Sequence, residues 1–421
     1  MINKTLLKFK KHTLFILYLL MIIGICFGVY NSSGLVHIQK IISYLVALVL
    51  IYILVNKYII DKNRNVDITF MNNSNNDVLL NIVIGVSLLT CIFHLLYLGY
   101  IPVWETYKSL YGIEISFIRE DVLSKLNTTL NYLVAFNLNA TIPFIFYQTF
   151  KRKKRYFVIL YIILFFYLLN VLQKSYLLFA ILPLAILMFN QKYYKLGIAT
   201  IVLSTLSIFF IIWLSNPQLR ASSTEIDLYA KKYISKNIHA NTVLAPQAIL
   251  PKSSVSSQNV VLSIFIGFYN RIALVPGHVV SKWFDYIPQK LPYTHGYNIR
   301  PIALISGKNY QDYNYSRMIY DLEFPEDAKN GLKGTANVAH FMNDYASFGF
   351  WGLFFSALQV VIIIQLLQHI FKNNISDLIS FNLNFMLALS STALTTTLFS
   401  GGWALMIVYY FLFNHKNEIT D

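Results

Sequence analysis

Charge is scarce in this chain and acid scarcer: only 13% of its 421 residues are charged, with 34 Lys and Arg set against 19 Asp and Glu. So little charge cannot cover a water-soluble fold of this size when 56% of the residues are hydrophobic and the mean hydropathy is +0.53. Cysteine is rarer still. Cys26 and Cys91 are the only two and both fall in apolar runs, which excludes a disulfide or thiolate-metal framework for any polar segment. The sequence also lacks a Gly-rich Lys-Ser/Thr phosphate loop, an HExxH helix, a Gly-x-Ser-x-Gly elbow and any Cys/His cluster. ATP hydrolysis and zinc chemistry are therefore not expected, and neither a metal nor a cofactor is assigned. Asp-x-Asp is missing too, and the nearest pairs, Glu225-x-Asp227 and Asp321-x-Glu323, read as solvated loop carboxylates.

What is present is apolar runs. A helix needs about 20 residues to cross roughly 30 Å of hydrocarbon, and uncharged runs of this order occupy 13–30, 41–56, 78–100, 126–150, 156–173, 175–191, 196–219 and 345–371. A last run, 378–414, is too long for one span, and Gly401-Gly402 offers a turn that makes it two. The expected fold class is all-α: a polytopic integral membrane protein of about ten helices with one large outer loop. Three regions follow: a seven-helix membrane region (1–215), a 128-residue extracytoplasmic loop (216–343) and a three-helix C-terminal region (344–421).

Lys and Arg resist translocation, so their distribution sets the orientation. Sixteen lie on one side, among them Lys4, Lys57, Arg64, the run from Lys151 to Arg155, Lys192, Lys372 and Lys416. The short connections opposite hold five: Lys40, Lys108, Arg119, Lys125 and Lys174. Both termini are thus expected in the cytoplasm and 216–343 outside. The first run follows a basic N-terminus, but no small-x-small cleavage site follows it, so a retained helix is expected.

The large loop carries thirteen Lys and Arg against eight Asp and Glu, an excess that topology does not require and that suits an anionic ligand as well as lipid headgroups. Its apolar stretch 259–269 is too short to span, so 260–280 is expected to lie at the outer interface as a short helix holding Arg271 at headgroup depth. Between 283 and 324 the loop is dense in aromatics, including Trp283, Tyr286 and Tyr297. Tyrosine can stack on a sugar face and hydrogen-bond its edge, and it is equally an interface-belt residue; both roles stay open. The first outer connection, 31–39, has no carboxylate, which counts against lipid-monophosphate glycosyltransferases with a metal-binding acidic pair at that point.

The stretch TANVAHFMNDYASFGFWG at 335–352 resembles the corresponding stretch of bacterial oligosaccharide repeat unit polymerases, the Wzy type of O-antigen and capsule polymerase. Ile101-Pro102, RIALVPGHVVSKWFDYIP at 271–288 and the single late outer loop are similar to the same family. The resemblance implies a fold like that of GT-C-like glycosyltransferases. It also implies transfer of a growing glycan from undecaprenyl pyrophosphate to the terminal sugar hydroxyl of a fresh lipid-linked repeat unit, at the outer face of the bacterial cytoplasmic membrane. Implied partners are the lipid-linked oligosaccharide, membrane lipids and a chain-length-regulating co-polymerase; nucleic acid is not among them.

That chemistry needs fixed cations for charge developing on the pyrophosphate and a base for the attacking hydroxyl. The candidate cations are Arg271, Arg300 and Arg220, then Arg119 and Lys174, because guanidinium is a permanently charged fork for phosphate oxygens. The candidate bases are His340 and Asp344, four residues apart and so on one helix face. Asp344 also suits helix N-capping. Trp283, Tyr286, Tyr297 and Tyr345 are the candidate glycan contacts. Gly349 and Gly352, with Ala346 and Ser347, form a small-residue face that predicts close helix packing. An O-antigen ligase is the alternative in the same reaction class; a flippase should show more spans and only short loops, and a non-catalytic receptor would use the loop as a binding surface only.

Overall fold

A computed structural model describes residues 12–60, 76–237, 274–329, 331, 334–372 and 374–413. The fold is helical, and among the described residues there is no strand. Among the described residues seven helices are long and apolar enough to cross a membrane: Thr13–Ser33, Ile38–Tyr58, Asp77–Lys108, Thr128–Lys151, Tyr194–Ser215, Phe350–Ile370 and Leu394–Phe413. Leu20, Phe27, Leu50, Leu96 and Ile362 stand exposed on these helices, a placement that water penalises and lipid does not. The chain is a multi-pass helical membrane protein. Three further apolar helices among the described residues are shorter than these seven: Phe157–Asn170, Lys174–Asn190 and Ile375–Ala388. The first and last, at 14 residues, reach about 21 Å, less than the hydrocarbon thickness.

Two expected boundaries are corrected. The run 345–371 is not one helix, because it breaks at Gly349 (φ +60°), with His340–Phe348 before it and Phe350–Ile370 after it. The run 378–414 turns first at 389–393, after Ile375–Ala388, and again at Gly402 (φ +86°), between Leu394–Leu398 and Trp403–Phe413. Of the expected interfacial helix, 260–273 lies outside the described residues; a helix runs from Val275 to Tyr286.

The chain divides into two compact units: 1–67 with 246–375 and 385–397, and 68–245 with 376–384 and 398–421. In the first, the Thr13–Ser33 and Ile38–Val55 helices form a hairpin closed at Gly34, whose N–H donates to the Tyr30 carbonyl. Val275–Tyr286 packs on Thr13–Ser33, and Phe350–Ile370 packs on Ile38–Val55. The first crossing is tight enough that a Cβ at Gly277 would fall 2.4 Å from the Gly28 backbone. The small-residue face behaves as its composition predicts: a Cβ at Gly352 would lie 1.9 Å from the Asp344 carbonyl oxygen. Eight residues of straight helix span about 12 Å, so that contact exists only because the chain bends sharply at Gly349. The segment 294–298 then fixes His340–Phe348 in place, with the N–H groups of Thr294 and His295 donating to the carbonyls of Ala346 and Ser347 and the Asn298 amide to that of Asn343.

In the second unit, Lys174–Asn190 packs against Tyr194–Ser215 and Ile142–Lys151. The Thr128–Lys151 span contains a widened turn at Asn137–Thr141. The Asn137 side chain in that turn is satisfied by the helix Asn76–Leu98: Ser87 Oγ donates to Asn137 Oδ1 at 2.6 Å, and the Asn137 amide donates to Ser87 O and Cys91 Sγ. Asp377 is buried and accepts from Tyr147 and Lys151. Cys26 and Cys91 lie in separate spans and are free.

Candidate functional site

Both candidate bases sit on the helix His340–Phe348, which leads into the Phe350–Ile370 span. His340 is 1% exposed, and its backbone N–H donates to Leu389 O at 2.9 Å. Its ring lies tilted to Tyr18 and edge-on to Tyr44 of the first hairpin, with Tyr18 Oη 3.2 Å from either ring nitrogen and Tyr44 Oη 3.4 Å from Nε2. The two hydroxyls are 2.6 Å apart. Burial pushes the His340 pKa down to about 3, against a weaker pull upward from its backbone bond. A neutral, enclosed imidazole is a poor catch for a substrate proton, so His340 is a member of the buried tyrosine network.

Asp344 is placed differently. Part of the residue's surface is open, while its carboxyl is desolvated enough to be raised to about 7, with the Ser356 hydroxyl drawing it back. It lies close enough to Tyr18 and Tyr44 to act electrostatically on both. The expected N-capping role is corrected: Ala339 stands at the N-terminus of its helix and Gly349 at that of the next, so Asp344 is mid-helix. A carboxyl tuned to neutrality in a partly open position can take or give a proton at physiological pH.

The candidate cations separate. Arg300 is exposed on the first turn of Arg300–Ile305 in the first unit. Arg271 lies outside the described residues. Arg220, Arg119 and Lys174 belong to the second unit. Arg119 is half-buried on Gly112–Ser124, and Lys174 opens Lys174–Asn190; each has a partner in the fold. Arg220 is committed elsewhere: its guanidinium donates to the carbonyls of Tyr107 (2.6 Å), Ser109 (2.7 Å) and Thr106 (3.2 Å) and stacks near Tyr107 and Trp213. Those carbonyls end the helix Pro102–Lys108, where a cation complements the helix dipole. The expectation that Arg220 meets pyrophosphate is therefore corrected to a structural clamp. Arg220→Ala is expected to destabilise by about 1–3 kcal/mol, as bonds to a charged donor do, and Arg220→Lys should not restore it, because a point charge cannot bridge three carbonyls. Thermal melting of the detergent-solubilised protein checks this; a lost activity at unchanged melting temperature would return Arg220 to the substrate site.

The aromatic expectations also divide. Trp283 (1% exposed) donates Nε1–H to Ala336 O, and Tyr345 (3% exposed) packs edge-on to Phe284, so neither offers a sugar-stacking face. Tyr286 is buried too, with its hydroxyl donating to Glu323 and the Lys290 ammonium over its ring. These three are packing residues. Tyr297 keeps accessible surface beside Tyr313 and Lys308 and alone of the four has a face to offer.

Sequence reasoning missed the partners of the two bases. Tyr18, Tyr44 and Ser356 are polar groups within membrane runs, and that is the signal that marks them, since such groups are seldom placed there without a partner. Among the described residues no group of three His, Cys, Asp or Glu side chains is placed to hold a metal ion. Comparison with family models, with curated proteins and with solved structures finds no match to this chain.

Proposed function

We propose that the protein is a glycosyltransferase that polymerises undecaprenyl-pyrophosphate-linked repeat units into O-antigen or capsular polysaccharide at the outer face of the bacterial cytoplasmic membrane. The observation that carries the reading is Asp344, a partly open carboxyl with a pKa of about 7, at the head of a membrane span and inside the segment that resembles the polymerases. In this reading ten helices cross the membrane, both termini are cytoplasmic, and the arrangement is akin to that of GT-C-like enzymes. Asp344 accepts the proton of the attacking sugar hydroxyl as the new glycosidic bond forms. The bond from the anomeric carbon to the pyrophosphate oxygen breaks, and lipid pyrophosphate leaves with the electron pair. Arg271 and Arg300 are the guanidinium candidates for the charge that develops on it. No nucleotide enters, because the lipid pyrophosphate is itself the leaving group. A co-polymerase that sets chain length is the proposed partner.

The test is the glycan ladder on gels from cells lacking the gene. Surface lipid carrying single repeat units, with a ladder restored by the wild-type gene and not by Arg271→Ala or Arg300→Ala, is the expected result. Polymeric lipid-linked chains accumulating without surface glycan would indicate a ligase instead, and an unchanged ladder would end both readings.

A further inference from the structure

Lys40 enters the sequence argument only as a topology marker, yet its surroundings are those of a binding group. It lies in the first turn of Ile38–Val55, at the end of a candidate span, half-buried between the rings of Phe284 (4.7 Å) and Tyr345 (5.3 Å). Its ammonium has three donors, one of which goes to Tyr345 Oη at 3.2 Å. Among the described residues no carboxylate pairs with it. Asp285, whose charge acts on it, is bonded instead to His37 Nε2 at 2.7 Å. His37 is one turn before Lys40 on the same helix face and 6% exposed. Aromatic faces offset only part of the cost of desolvating a cation. An anion at this point would balance it.

The same helix face continues into the candidate site. Tyr44 follows Lys40 by four residues, about 6 Å along the axis, and Tyr44 is the residue that contacts His340 and feels Asp344. We propose that Lys40 binds a lipid-borne phosphate, one helical turn from Tyr44, the residue that feels the charge of Asp344. The identity of that phosphate as the polyprenyl pyrophosphate of the substrate rests on the polymerase reading; the phosphate chemistry does not.

Full-length protein in zwitterionic nanodiscs, titrated with farnesyl pyrophosphate, tests it without any glycan. Wild type is expected to bind, and Lys40→Ala to bind about tenfold or more weakly, the worth of one charge-assisted contact. Lys40→Arg is expected to keep most of the affinity. Lys40→Met, which retains the apolar stem, guards against a variant that merely unfolds. If phosphatidylglycerol in the discs displaces farnesyl pyrophosphate, the phosphate is that of the bilayer; if it does not, it is the substrate's. Equal binding by wild type, Lys40→Ala and Lys40→Met overturns the proposal, whatever the glycan ladder shows. Binding lost in these variants while gene deletion leaves the ladder intact would leave the phosphate site standing and remove the polymerase reading.

Discussion

Asp344→Asn is expected to lower polymerisation by about 10²- to 10⁴-fold, the usual contribution of a positioned general base, while leaving the protein folded. Asparagine keeps the size of the side chain and its hydrogen-bonding reach but cannot take a proton. The pH dependence follows from the same group. Burial raises the carboxyl to about 7, so the base is ionised above that value. Wild-type activity in membranes should fall close to tenfold per pH unit below 7 and level off above it. The stability sign is opposite. A carboxyl whose folded pKa is raised favours the protonated fold, so its contribution is present in acid and is lost as pH rises through about 7. Asp344→Asn should therefore be more stable than wild type at pH 8, by an amount on the order of 1 kcal/mol or more, and melt at a higher temperature. Loss of activity together with retained or improved stability separates a base from a packing residue. A variant that polymerises normally, with an unmoved pH profile, would dismiss Asp344. His340→Gln, by contrast, should act through stability, because that ring is enclosed by Tyr18 and Tyr44.

The membrane class was legible because hydrophobic runs of span length need no long-range information. Thr13–Ser33 and Tyr194–Ser215 fall close to where apolar runs place them. The bend at Gly349 was not legible in the same way, since hydropathy averages over a window and does not register one residue at positive φ. The small face of Ala346, Ser347, Gly349 and Gly352 did announce close packing, but not that the packed partner would be the helix's own preceding segment. In the candidate site, the spacing of His340 and Asp344 correctly predicts a shared helix. It does not tell them apart, because what encloses His340 comes from Tyr18 and Tyr44, some 300 positions earlier in the chain. Aromatic density was similarly ambiguous. Trp283 and Tyr345 have the composition of a sugar platform and the burial of a core, and only tertiary packing decides between these. Arg220 carried the right chemistry for phosphate, and its three carbonyl acceptors at 106–109 lie more than 100 residues away.

Gly352→Ala is the second large effect expected, and it bears on the fold and the site together. A methyl group at 352 would sit 1.9 Å from the Asp344 carbonyl oxygen, 2.3 Å from its carbon and 2.7 Å from the Tyr345 nitrogen. All three are backbone atoms, so no side-chain rotation relieves the clash. The elbow at Gly349 would have to open, and the segment 294–298 opposes that through its bonds to Asn343, Ala346 and Ser347. The cost should reach or exceed the about 1–3 kcal/mol usual for overpacking, a large share of a typical margin of stability. Gly277→Ala should behave alike, since its methyl would meet the Gly28 and Val29 backbone at 2.4–2.5 Å. Gly24 is the control: it lies within Thr13–Ser33 with nothing inside 4 Å of its added Cβ, so alanine there should be neutral or slightly stabilising. The measurement is the recovery of monodisperse protein and its melting temperature after detergent extraction. Gly352→Ala that extracts and melts like Gly24→Ala would mean that the two helix segments are not held at this distance. The placement of Asp344 would then lose the support of the backbone contact at Gly352.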